Sequence, residues 1–92
     1  MKHSLTTADV RKLYDKEVEK HERDGRVHAT DLRTAMIRAT RTTVFAALHL
    51  ELPTEAPRKD EDPDDTHMRQ KAHGKSLWKE TDRLVTELEK TL

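Results

Sequence analysis

Apolar residues recur at helical spacing in three stretches of this chain. In the first, Val10, Leu13, Tyr14 and Val18 form one stripe, and Lys12, Lys16, Glu19 and Lys20 occupy the opposite face. Thr6 stands where an N-cap belongs, with Asp9 three positions on as a shortened capping box. Leu5 and Val10 have the spacing of a hydrophobic staple. Gly25 suits the left-handed residue that closes a helix, which predicts a helix from Thr7 to Arg23. Val27, in the short connector that follows, is expected to turn inward.

The second stretch, Leu32 to Leu50, contains no Asp or Glu but holds Arg33, Arg38, Arg41 and His49. Its apolar face changes side midway. Met36 lies about 40° around the helix from Leu32, whereas Val44, Leu48 and Phe45 lie about 120°, 160° and 220° away. A straight helix cannot bury both groups against one neighbour. Two arrangements therefore stand open: a break between Arg38 and Thr43, or one helix from about Thr30 to Leu50 held between two partners. Thr40, Thr42 and Thr43 lower helix propensity and offer new caps, but no Gly or Pro enforces a turn.

Residues 51–66 collect all three prolines (Pro53, Pro57, Pro63) and the acids Asp60, Glu61, Asp62, Asp64 and Asp65. Proline removes backbone donors and disfavours helix in the residue before it, so this segment reads as a weakly held acidic linker. A helix is expected to restart near Thr66 and to bend or stop at Gly74. The last stretch, Ser76 to Leu92, spaces Leu77, Thr81, Leu84, Leu88 and Thr91 by 4, 3, 4 and 3, with Trp78 and Val85 widening the face. Two heptads are too short to stand alone, so this helix must dock on its own chain or on another.

The pattern predicts an all-α protein: a small helical bundle of three to four helices with an acidic Pro-containing connector and a C-terminal amphipathic helix. Its units are an N-terminal helical unit at 1–50, the linker at 51–66 and the C-terminal amphipathic helix at 67–92. Composition adds a shortage. Hydrophobic residues make up 33% of the chain and charged ones 39%, and a domain of 92 residues buries too little surface for ample stability. A partner or a second copy would relieve that deficit.

Eighteen basic and 18 acidic residues balance, which argues against a generic polyanion binder. The six histidines gain charge as pH falls toward 5, so association should respond to pH. The absence of cysteine excludes a disulfide framework, a thiol nucleophile and cysteine-ligated zinc. The N-terminus lacks the apolar run of a signal peptide, and no membrane span is legible; a cytoplasmic protein is expected.

Motif resemblances are weak. Lys20 to Asp31 lines up with a calcium loop, but Lys20 fills the first ligand place and Asp31 the last, where a bidentate Glu belongs. His67 and His73 point about 120° apart on a helix, so no metal site is expected. Gly74-Lys75-Ser76 echoes a phosphate loop without its earlier glycine or its strand, and Ser76 reads as a helix cap. Carboxylates lie on solvated faces, so neither catalysis nor a cofactor nor a small-molecule substrate is expected.

Two functions fit this pattern. The leading one is a non-enzymatic protein–protein interaction module, self-associating or binding another protein through Leu77, Trp78, Leu84, Val85 and Leu88. The other is a DNA-binding regulator with a degenerate helix-turn-helix at 30–50. Arg38 and Ala39 would form its turn, and Arg33, Arg38, Arg41, Thr42 and Thr43 would contact DNA, with the C-terminal helix as dimerisation element.

Overall fold

The computed structural model describes residues 2–23 and 29–92. The expected turn at Gly25 and the inward Val27 lie outside them. Three helices account for the regular structure: α1 (Thr7–Arg23), α2 (Ala29–Glu51) and α3 (Pro63–Lys90). Cross-helix contacts fix their directions. Ser4, just before α1, bonds Glu51 at the end of α2, and Arg41 of α2 reaches Asp82 of α3. The helices thus run up, down and up, in a rod 55 × 21 × 18 Å.

α1 begins as its sequence dictates. The Thr6 amide donates to the Asp9 carboxylate at 2.9 Å, and the Asp9 amide donates back to the Thr6 hydroxyl at 3.2 Å. The Thr6 amide, together with the Thr6 hydroxyl that also donates to the carboxylate, stabilises the anionic form of Asp9 and lowers its pKa. Val10 and Tyr14 are buried, and Leu5, Leu13 and Val18 pack against the same core.

α2 runs without interruption, so the break expected between Arg38 and Thr43 does not occur, nor does the turn that a helix-turn-helix requires at Arg38 and Ala39. The physical reason is the use made of the threonines. Thr40, Thr42 and Thr43 donate their hydroxyls to the carbonyls of Met36, Arg38 and Ala39, one turn back in each case. Bonded this way, they remain inside a helix instead of capping a new one. Thr40 also explains the apparent change of face. Leu32, Met36, Thr40, Val44, Leu48 and Leu52 stand four residues apart, a single ridge that winds about 40° per step. Thr40 is fully buried within it. Its side-chain hydrogen bond lets a polar residue bridge the two apolar groups, and both α1 and α3 pack against the result.

α3 starts at Pro63, earlier than Thr66, because Asp62 caps it: the Asp62 carboxylate accepts from the Asp64 amide at 2.9 Å, and Pro63 occupies the first helical turn. It continues through Gly74 without interruption. Ser76, expected as a cap, lies mid-helix and donates to the Ala72 carbonyl. Leu77, Thr81, Leu84, Val85 and Leu88 are buried along the predicted seam. Twenty-eight residues give α3 a length of about 42 Å, and only its second half faces the other helices.

The first half of α3 is held by the connector instead. Arg69 is the anchor. Its guanidinium donates to Glu61 at 3.0 and 3.1 Å, to Glu55 at 3.0 Å and to the Ala56 carbonyl at 3.0 Å. Gln70 donates to the Glu55 carbonyl and Thr66 to Glu61. His73 Nε2 donates to the Leu52 carbonyl at 2.7 Å, which fixes the proton on that nitrogen. The segment expected to be a weakly held linker is therefore laced to the helix. At its far end Asp60 adopts φ 65°, a left-handed conformation that Asp tolerates, and the Glu61 amide closes that turn on the Arg58 carbonyl.

Candidate interaction surface

Four of the five side chains expected to meet a partner point inward. Leu77, Leu84, Val85 and Leu88 are 0–3% exposed, covered by the chain itself. Their seam docks on α1 and α2, so one copy already covers both the winding ridge of α2 and the seam of α3. Trp78 is different. One residue past Leu77 on the helix, it is turned about 100° away from the core direction and remains 43% exposed.

Trp78 lies on Phe45 of α2, ring centroids 4.1 Å apart and planes 19° from parallel. Phe45 sits off the buried ridge for the same geometric reason, and His49 one turn on lies 6.3 Å from it with its ring tilted by 42°. Stacked rings of this kind hold one another in place. On one side of the pair Arg41 meets Asp82 at 3.5 Å, both half-exposed. On the other lies Gly74, one turn before Trp78, with open space where a Cβ would stand. The other strongly exposed large apolar residues, Leu50, Met68 and Leu92, are not in this cluster, and single exposed apolar residues are ordinary on a surface.

The residues expected to contact DNA share α2 but not one role. Arg33 and Arg38 are exposed and have no ion-pair partner among the described residues. Arg41 is engaged by Asp82. Thr42 and Thr43, exposed on the surface, bond backward to their own helix in mid-span, not at a helix N-terminus.

Two features have no distinct signature in the sequence. The first is the Arg69 cage, whose donors, with the Thr66 hydroxyl and the Arg58 amide, hold the Glu61 carboxyl down at about 2. An open hollow beside it, lined in part by Pro53, Arg58, Arg69 and His73, has its polar walls already bonded to the chain. The second is an N-terminal strap. The Ser4 amide and hydroxyl both donate to Glu51, which lowers the pKa of that carboxyl. His3 Nε2 lies 3.2 Å from Glu80, which also accepts from Arg83 and is lowered chiefly by it. Charge alternation is the only hint of either, and alternating charges fit many pairings.

Among the described residues, no three metal-ligating side chains converge, and no helix is long and apolar enough to cross a membrane. No family model matches the sequence, and no curated protein or solved structure matches the chain.

Proposed function

We propose that this chain is a non-enzymatic, cytoplasmic protein-interaction module that binds through the aromatic face of α2 and α3, with Phe45 and Trp78 at its centre. The observation that supports this reading most is the half-exposed Trp78, held rigid on Phe45 while the rest of the α3 seam is buried. A preorganised tryptophan at the middle of a polar surface is the usual anchor of a protein interface, since little rotamer freedom is lost when a partner covers it. The ion pair of Arg41 with Asp82 forms part of a polar rim. Replacing Trp78 with a photo-crosslinking phenylalanine derivative tests the reading. Adducts should form at position 78 and not at Lys79, and they should vanish when Phe45→Ala removes the support. Equal labelling from both positions would refute it.

A second reading, a DNA-binding regulator, draws on the exposed Arg33 and Arg38 of a helix segment without acids. With no turn in α2, any such contact would be made to phosphates by the helix flank. Binding would then fall steeply with salt and weaken on Arg38→Ala. A flat low-salt mobility-shift titration removes this reading.

A further inference from the structure

One flank of α3 is left largely exposed by the bundle. Lys71, Gly74, Lys75, Trp78 and Asp82, at i, i+3, i+4, i+7 and i+11, share one side of the helix, next to the buried seam. Lys71 and Lys75 are exposed and have no ion-pair partner among the described residues. A mid-helix glycine weakens a helix, yet among the described residues nothing lies within 4 Å of the place where its Cβ would stand. Charge changes sign across the middle of the flank: Lys71 and Lys75 precede the Gly74–Trp78 centre, and Asp82, half-exposed beside Arg41, follows it.

A surface with opposite charges on either side of an apolar centre is complementary to itself when one copy is reversed. An acidic or a basic partner would satisfy only half of it. Resting on the reading of the aromatic face as a protein-binding surface, we propose that its partner is a second copy of this chain, with the two α3 helices antiparallel across a two-fold axis near Ser76. In that register Trp78 of each copy lies on Gly74 of the other, where the missing Cβ leaves room for the ring. The same register sets Lys71 of each copy opposite Asp82 of the other, because the two pairs are centred within half a residue of each other along the helix. A parallel pairing would oppose like charges. The contact is isologous and closed, so it stops at two copies.

Sedimentation velocity across a concentration series tests this. The chain should pass from monomer to dimer as concentration rises. Trp78→Ala should weaken the dimer by at least about tenfold. Lys71→Asp and Asp82→Lys should each abolish it, since each places two like-charged pairs across the axis. An equimolar mixture of these two variants should dimerise, as should the double variant, because every cross-axis pair is again opposite in sign. Residues 71 and 82 lie about 16 Å apart along one helix, so the rescue cannot arise within a chain. It also shows that each variant is folded. A chain that stays monomeric at every concentration overturns the proposal, as does a dimer indifferent to the reversals. If position 78 crosslinks to a different protein while the chain sediments as a monomer, the aromatic face still binds protein and only the second copy is excluded.

Discussion

The two halves of α3 are one helix stabilised by two kinds of physics. From Leu77 onward the inward positions are Leu77, Thr81, Leu84, Val85 and Leu88, and apolar burial against α1 and α2 holds them. Before Leu77 the inward positions are Thr66, Arg69, Gln70 and His73, and side-chain hydrogen bonds to the connector hold those. Burial does not depend on direction or ionic strength, whereas a charge-assisted cage depends on geometry, salt and pH. The difference implies that the molecule can lose one end without losing the other.

The sharpest break in that comparison comes from the apolar half. Leu84→Ala leaves a cavity at a side chain that is 1% exposed, and should cost about 3 kcal/mol in denaturant unfolding, with loss of all three helices together. The polar half should respond locally. Arg69→Ala should raise amide exchange across residues 53–62 and the first turns of α3, while the unfolding midpoint of the core shifts far less. A midpoint shift as large as that of Leu84→Ala would erase the distinction.

Acid separates the halves without mutation. Glu61 titrates at about 2 in the folded chain against an ordinary value of 4.5, so its contribution is complete above the ordinary value and is lost as pH falls through the folded one. Connector protection should therefore decline between about pH 4.5 and 2, and protection at Leu84 and Leu88 should persist to lower pH. Glu51 and Glu80, also lowered, make the N-terminal strap weaken in the same direction. The smallest effect belongs at the junction. Gly74→Ala should stabilise the monomer by about 1 kcal/mol, since open space surrounds the added methyl, while it weakens self-association if Trp78 of a second copy rests there.

Local rules make α1 legible from its residues alone. Its capping pair, its staple and its stripe are all short-range, and together with Gly25 in the sequence they name Thr7 as the start and Arg23 as the end. The seam of α3 is legible for the same reason, because its period is written in five residues. Trp78 can be picked out as one side of that seam, but not its separation from Leu77, which depends on where α2 lies. The continuity of α2 is not legible: a threonine that caps and a threonine that bonds one turn back have the same sequence, and burial of Thr40 between two neighbours selects the second. Nor can the proline-bearing connector be read as ordered, since Glu55, Glu61 and Arg69 are three charges among 36 until the fold brings them together. Sequence alone determined the elements whose signals repeat within a few residues. Tertiary structure decided which polar groups find partners far along the chain, because those bonds form only where packing has first set the distance.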